Sequence, residues 1–217
     1  MQENQLKRKM VAGETVMGTM IKELQTPLLV PLLASAGLDF AIIDTEHGPF
    51  SYSDIQNFVL AAKHSSFTVL VRPPGSDYIS IARALDSGAQ GLMVPRVETP
   101  EEVQQIVGAA KYPPLGNRGY GPGGIVTDFQ GGLSQAQKME VINAETVLIL
   151  QIEKSEAVDC IEELVASPAV DGVIIGPADL SVSLGIPGEF QNPNFIQAVE
   201  RVVGACQARG IPSGIHV

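Results

Sequence analysis

Cysteine is scarce in this sequence of 217 residues, and the two that occur, Cys160 and Cys206, are too few for a disulfide framework or a cysteine-based metal site. Both fall among apolar residues of predicted helices, so we expect two core thiols in a reducing compartment. No window approaches the ~18 consecutive apolar residues that a bilayer span requires. The first residues, MQENQLKRKM, lack the apolar core of a signal peptide. These absences predict a cytoplasmic protein that does not enter a membrane.

Basic residues are also few. Fourteen Lys and Arg stand against 24 Asp and Glu, which gives a formal net charge of −10 and an isoelectric point near 4.7. Such an acidic chain is not expected to bind nucleic acid or an anionic membrane surface. An anionic small-molecule substrate would need local positive charge, so each well-placed arginine becomes a candidate for binding it.

Seven short apolar runs alternate with segments of helical spacing, which predicts a parallel α/β fold. The predicted strands cover residues 15–21, 40–44, 68–72, 91–96, 147–152, 173–175 and 211–217. A doubly wound sheet would satisfy this pattern. Polar residues that could do chemistry follow one strand after another, however, which favours a (β/α)8 TIM barrel with its site at the C-terminal strand ends. We therefore predict one barrel domain over residues 1–217, incomplete at its C-terminal end because the eighth βα unit is lacking.

The segment 146–180 shows this pattern most clearly. Strand 147–152 ends on Glu153, one helix follows, and strand 173–175 runs into Gly176 and Asp179. Parallel strands end at the same edge of a sheet, so Glu153 and Asp179 are expected on one rim. Paired carboxylates in such a place suit a hard divalent cation. The alternative is that each carboxylate caps the helix that follows it.

Further polar side chains are expected on the same rim: Asp44, His47, Arg72, Gln151 and His216. The spacing Asp44-x-x-His47 predicts that the carboxylate orients the imidazole as a general base. The alternative is an ordinary solvated loop histidine. Gln151 lies two residues before Glu153 and points to the same side of the strand, so we expect it to support the hydration of a bound metal.

Six segments resemble the HpcH/HpaI aldolase family, in order along nearly the whole chain. They are DTEHGP (44–49), VRPP (71–74), GAQGLMVPRVETPEE (88–102), PPLGNRGYGP (113–122), LQIEKSEAV (150–158) and GVIIGPADLS (172–181). This family includes 4-hydroxy-2-oxoheptanedioate aldolase and 2-keto-3-deoxy-sugar-acid aldolases, which are metal-dependent (β/α)8 barrels that use pyruvate.

The resemblance implies Mg²⁺, Mn²⁺ or Co²⁺ held by Glu153 and Asp179, acid–base work by His47, and a contact between Arg72 and the keto oxygen of the substrate. It also implies a small-molecule 2-keto acid and an aldehyde as partners. Members of the family commonly exchange a helix between subunits, so the resemblance further implies a homo-oligomer, a trimer or a hexamer.

The expected function is therefore a class II aldolase that cleaves a 4-hydroxy-2-keto acid to pyruvate and an aldehyde through a metal-stabilised enolate. Gly176, Ala178 and Asp179, at a predicted helix start, are expected to bind the substrate, with main-chain N–H groups holding its carboxylate. His216 would line the aldehyde pocket. The alternatives are an acyl-CoA lyase of the malyl- or citramalyl-CoA type and a non-catalytic metal-binding barrel. A Schiff base at Lys154 is disfavoured, because strand alternation directs that side chain away from the face of Glu153.

A stretch dense in glycine and proline, residues 113–132, interrupts the alternation of strands and helices. Long irregular loops in compact domains are usually functional. We expect a lid, with Arg118 or Tyr120 near the aldehyde end of a substrate in its own or a neighbouring subunit. The alternative is that this loop only closes a subunit interface.

Overall fold

Seven parallel strands form one sheet in the computed structural model, which describes residues 3–217. The strands are β1 (Gly18–Ile21), β2 (Phe40–Asp44), β3 (Thr68–Arg72), β4 (Gly91–Val94), β5 (Val147–Ile152), β6 (Gly172–Ile175) and β7 (Ser213–Ile215). Their order in the sheet is their order in the sequence, and within the described residues β7 does not pair with β1. The predicted parallel α/β barrel lacking one unit is therefore confirmed.

Ten helices occur in the described part of the chain. They are α1 (Gln5–Val11), α2 (Leu29–Ser35), α3 (Tyr52–Ala62), α4 (Tyr78–Asp86), α5 (Pro100–Ala110), α6 (Gln135–Glu145), α7 (Ser155–Asp159), α8 (Ile161–Leu164), α9 (Pro177–Ser183) and α10 (Pro193–Arg209). Capping boxes begin α3, α5 and α6, so local side-chain hydrogen bonds set these helix starts. Among the described residues, no helix combines the length and apolar character that a bilayer span requires.

Two apolar cores surround the sheet. The larger packs the outer helices against the strands, while the smaller lies inside the curl of β2, β3, β4 and β5. Leu6 and Met10 of α1 belong to the inner core, and the Asn4 amide donates to the Gln90 carbonyl just before β4. The α1 helix thus closes the N-terminal end of the barrel, which leaves the C-terminal strand ends as the open face.

Several helices and strands begin or end at residues other than the predicted ones. The strand predicted from Thr15 begins at Gly18, because its partner β2 begins with Phe40 opposite that residue. Helix α2 begins at Leu29 without a side-chain cap. The predicted strands 91–96 and 211–217 shorten to β4 and β7. The single helix predicted after β5 is two, α7 and α8, because Cys160 leaves the helical region at φ −117° and ψ 22°. Cys160 is half-buried, whereas Cys206 is fully buried as predicted.

The Gly- and Pro-rich loop packs at the closed end of the barrel. Lys63, at the C-terminal end of α3, donates to the Ile125 carbonyl at 3.2 Å. Arg118 is buried and pairs with Asp86 at the end of α4, at 2.6 Å. Helix C-termini precede the next strands, so these contacts place the loop away from the C-terminal rim. The expectation that it covers the site of its own chain is wrong.

Candidate active site

The first pair of the rim is Asp44 and Arg72, which stand opposite each other in the register of β2 and β3. The guanidinium donates from Nε to Oδ1 at 2.9 Å and from Nη2 to Oδ2 at 2.6 Å, and both side chains are buried. Burial alone would raise the pKa of Asp44, but the hydrogen bonds and the charge of Arg72 hold it below its ordinary value. Arg72 is therefore a rigid, charged donor at the open face.

Asp44 also shapes the loop that follows β2. Its Oδ1 accepts from the main-chain N–H groups of Glu46 at 3.0 Å and His47 at 3.2 Å. Among the described residues the Asp44 carboxylate does not contact the imidazole. The expectation that it orients the His47 ring is therefore corrected: Asp44 holds the main chain of His47 and leaves the side chain 55% exposed.

Glu153, at the end of β5, is a buried carboxylate with two neutral donors. Oε1 accepts from the main-chain N–H of Arg96 at 2.9 Å, and Oε2 accepts from the Gln151 amide at 2.6 Å. It forms no ion pair within residues 3–217. Burial, the largest cause, raises the pKa of Glu153 to about 6, and the charges of Asp179 and Glu46 add to this shift, while the N–H of Arg96 opposes it.

Asp179 lies in the first turn of α9 and is exposed to solvent. Helix α9 follows β6, which neighbours β5 in the sheet, so Asp179 and Glu153 lie on the same rim. Gly176 is the N-cap of α9 and supplies no side-chain cap. First-turn N–H groups have no partner inside a helix, which leaves those of Ala178 and Asp179 available to a ligand.

His216 follows β7 on the same face. Its main-chain N–H donates to the Ile175 carbonyl at 3.1 Å, which aligns it with the end of β6. Burial lowers the pKa of the imidazole, and the positive charges of Arg72 and Lys22 lower it further, against the charge of Asp44. The candidate residues named from the sequence are thus gathered at one end of the barrel.

Two rim residues were missed by sequence reasoning. Glu46 has a side chain only 4% exposed and pairs with Arg72 at 3.3 Å and with Arg96. Arg96 adopts a left-handed backbone at φ 54°, which is uncommon for a residue with a Cβ. The available signal was position, because Glu46 adjoins His47 and Arg96 follows β4 on the rim where the other candidates lie.

The chemistry of the rim suits a hard divalent cation, although within residues 3–217 no three His, Cys, Asp or Glu side chains form a complete protein ligand set. Glu153 is a buried carboxylate without a cation among the described residues, and its hydrogen bonds leave lone pairs on both oxygens. The hydrogen-bonded cluster holds three carboxylates, Asp44, Glu46 and Glu153, against the guanidinium groups of Arg72 and Arg96. Asp179 adds further negative charge. A divalent cation bound by oxygen ligands would offset this excess.

Comparison with known proteins agrees with this geometry. The family model for HpcH/HpaI aldolase/citrate lyase matches residues 20–214. A hydroxypyruvate/pyruvate aldolase of Sagittula stellata is 35% identical over 213 residues, 98% of this chain and 83% of that protein. A 2-keto-3-deoxy-L-rhamnonate aldolase of Klebsiella pneumoniae is 32% identical, over 97% of this chain and 78% of that protein. The crystal structure of an HpcH/HpaI aldolase from Desulfitobacterium hafniense superposes with a TM-score of 0.91 at 41% identity, covering 97% of this chain and 80% of the other. The chain belongs to the HpcH/HpaI aldolase/citrate lyase family.

Proposed function

We propose that this protein is a divalent-metal-dependent aldolase that reversibly cleaves a 4-hydroxy-2-keto acid to pyruvate and an aldehyde. The observation that carries the proposal is the buried Glu153 carboxylate, which lacks a cation partner among the described residues and shares the rim with Asp179 and the guanidinium of Arg72. Membership of the family and the aldolase names of relatives support the reaction class.

Glu153 and Asp179 would hold the metal, with Gln151 supporting its hydration through the hydrogen bond to Glu153. Mg²⁺, Mn²⁺ and Co²⁺ are the ions we expect. The bound cation supplies Lewis-acid stabilisation of the negative charge that develops on the keto oxygen. Two protein carboxylates leave coordination positions for the oxygens of a 2-keto acid.

Arg72 binds the keto oxygen of the substrate. Its Nε and one N–H of Nη2 are held by Asp44, and Nη1 faces Glu46 at 3.3 Å and Gln151 at 3.5 Å. The second hydrogen of Nη2 has no protein acceptor among the described residues, so it is available to the substrate. A donor held in place by a buried ion pair stabilises enolate charge without reorganising during the reaction.

His47 moves the proton of the aldol hydroxyl. In the cleavage direction the imidazole takes the proton from the C4 hydroxyl, the C3–C4 bond breaks, and its electron pair passes into the enolate of pyruvate. The aldehyde leaves, and a proton from solvent adds to C3 of the enolate to complete pyruvate. The exposed position of the His47 side chain suits exchange of this proton with solvent.

The remaining rim residues bind the two ends of the substrate. The main-chain N–H groups of Ala178 and Asp179 receive the carboxylate, and Gly176 leaves the space beside Glu153 open. His216 lines the aldehyde side. The choice of aldehyde depends on pocket shape, which the shared chemistry does not determine.

Deuterium exchange tests the enolate step. With Mg²⁺ or Mn²⁺, the protein is expected to exchange the methyl protons of pyruvate in D₂O, followed by NMR, and EDTA should abolish exchange. Glu153→Gln should lose exchange, whereas Glu200→Gln on the exposed face of α10 should retain it. Wild-type protein that exchanges no protons with any of the three metals would contradict the proposal, as would a borohydride-trapped adduct at a lysine.

His47→Gln separates the two halves of the reaction. We expect aldol cleavage to fall by about 10²–10⁴-fold, the usual contribution of general acid–base catalysis, while exchange of pyruvate protons persists. Equal loss of cleavage and exchange would show that His47 does not act on the aldol hydroxyl.

We also propose that the protein works as a homo-oligomer, a trimer or a hexamer. Leu28 and Leu32, at the start of α2, expose 75% and 61% of their surface, which is unusual for neighbouring leucines and suits a subunit contact. Sedimentation velocity should show the assembly, and Leu32→Glu should dissociate it. A monomeric wild-type protein at micromolar concentration would contradict this proposal.

A further inference from the structure

We propose that Glu46 and Arg96 form a pair that positions Glu153 as a metal ligand. This inference deepens the proposed function and rests on it, because it assigns work to two residues around the proposed metal site. Neither residue touches the reacting atoms in this view. They act through the main-chain N–H that Arg96 donates to Glu153.

The side chain of Glu46 is buried although the residue lies in a loop. Its side chain is 4% exposed, while that of the next residue, His47, is 55% exposed. Oε1 accepts from Nε of Arg96 at 2.8 Å and from Nη2 of the same guanidinium, and Oε2 lies 3.3 Å from Nη1 of Arg72. A buried carboxylate that is bound by guanidinium groups from two different strand ends cannot change its orientation independently.

The backbone of Arg96 explains why its side chain needs an anchor. At φ 54° this residue occupies the left-handed region, where a Cβ is unfavourable. In that conformation its N–H reaches Oε1 of Glu153 at 2.9 Å. The Glu46 carboxylate binds the Arg96 side chain, so it opposes relaxation of the backbone towards ordinary φ values. Loss of this contact would let the N–H turn away from Glu153.

The pair closes a chain of contacts across four strand ends. Asp44 holds Arg72, Arg72 contacts Glu46, Glu46 holds Arg96, and the N–H of Arg96 meets Glu153. The ends of β2, β3, β4 and β5 are linked in this way. A change at Glu46 is therefore expected to reach Glu153 even though no contact between the two carboxylates is required.

Charge alone offers a competing explanation with a different signature. The pKa of the Arg96 guanidinium is raised first by its hydrogen bonds to Glu46, and the charges of Glu153 and Asp179 add to the shift, so the guanidinium is within electrostatic reach of both proposed ligands. If the pair acted only through charge, removal of Arg96 would strengthen cation binding and removal of Glu46 would weaken it, so the Arg96 variant distinguishes the two explanations. If Arg96 positions Glu153, its removal weakens binding.

The affinity for Mn²⁺, measured by calorimetric titration or electron paramagnetic resonance, distinguishes the positioning explanation from the charge explanation. This measurement does not depend on catalytic turnover. We expect Glu46→Gln and Arg96→Gln each to weaken Mn²⁺ binding about 10-fold or more, as is typical when a group that orients a ligand is lost. The double variant should bind Mn²⁺ about as weakly as either single variant, because both substitutions break the same contact between Glu46 and Arg96. Glu200→Gln is the matched control and should bind like wild type.

Tighter binding by Arg96→Gln, additive losses in the double variant, or unchanged affinity in both single variants would overturn the proposal. The side chain of Glu46 is buried, so its variant needs a thermal unfolding control. The Arg96 side chain is 57% exposed, and its variant tests the same pair with little risk to folding. A wild-type protein that binds Mn²⁺ but cleaves no 4-hydroxy-2-keto acid would contradict the proposed function alone, whereas one that binds no Mn²⁺ would overturn both.

Discussion

Gly176 faces Glu153 so closely that a Cβ at position 176 would lie 2.8 Å from Oε2 and 2.9 Å from the Gln151 amide nitrogen. Real Cβ atoms do not approach an oxygen this closely without displacing it. The absence of a side chain at the start of α9 is therefore a condition for the orientation of Glu153. This relationship joins the end of β5 to the end of β6.

Gly176→Ala is expected to disturb the site more than the fold. The added methyl group must push aside the carboxylate, so Mn²⁺ affinity should fall at least about 10-fold, the usual effect of disturbing the groups around a metal ligand. Gly204→Ala in α10 is the matched control, because nothing lies within 4 Å of its new Cβ and a helical alanine is favoured over glycine. Calorimetric titration of both variants measures the difference. Equal Mn²⁺ affinity in the two would show that the close approach is irrelevant.

The affinity for Mn²⁺ should depend on pH because Glu153 must be ionised to bind a cation. Its pKa is raised to about 6, so the carboxylate is largely charged above about pH 7 and increasingly protonated below pH 6. Affinity should be level from pH 7 to 8 and then fall by about tenfold for each pH unit below 6. Titrations between pH 5 and 8 measure this. A constant affinity down to pH 5 would contradict it.

Asp44→Asn tests the buried ion pair with Arg72. The substitution keeps the shape but removes the two-point contact with a carboxylate and leaves the buried guanidinium only Glu46, at 3.3 Å, so the free energy of unfolding should fall by up to about 3–5 kcal/mol. The exposed pair between Arg201 and Glu162 provides the control, since Glu162→Gln should change stability by less than about 1 kcal/mol. Urea denaturation of both variants measures the contrast. Similar small losses would show that the Asp44 pair is not stabilised by its burial.

We expect the stability of the protein to depend on pH through Lys111, a buried residue that lies away from the rim. Its Nζ donates to the carbonyls of Asn143 at 2.9 Å and Thr146 at 2.8 Å, and burial lowers its pKa to about 8. The unfolded chain, with a lysine pKa near 10.4, binds more protons between about pH 8 and 10.4. The contribution of Lys111 to the free energy of unfolding should therefore rise with pH across this window, by up to about 3 kcal/mol.

Lys111→Met removes the titrating group, so the difference in unfolding free energy between wild type and variant should grow in favour of wild type from pH 8 to 10.4. Other titrating groups, such as Cys206, occur in both proteins and cancel in this difference. Below pH 8 the difference should not vary with pH. Parallel profiles across the whole range would show that Lys111 is not desolvated in the folded state.

Local structure was largely predictable from the amino-acid sequence. The bounds of β2, β3 and β5 follow from continuous apolar runs, and the start of α5 follows from the reciprocal hydrogen bonds of Thr99 and Glu102. These signals act over a few residues and do not depend on the rest of the chain. The common rim of Glu153 and Asp179 was also predictable, because parallel strands joined by helices end on the same side.

Side-chain partners were not predictable in this way. The spacing Asp44-x-x-His47 indicated a contact with the imidazole, yet Asp44 pairs with Arg72, 28 residues away, because the register of β2 and β3 sets these two side by side. Glu46 meets a guanidinium 50 residues away for a similar reason.

The amino-acid sequence by itself determined the pattern of seven strands, the start of α5 and the side of the sheet on which the polar residues gather. Only the tertiary structure decided which carboxylate binds which guanidinium, why Arg96 takes a left-handed backbone, and where residues 113–132 pack. Periodicity and capping are local properties of a chain, whereas these contacts join segments that only strand register and helix packing bring together.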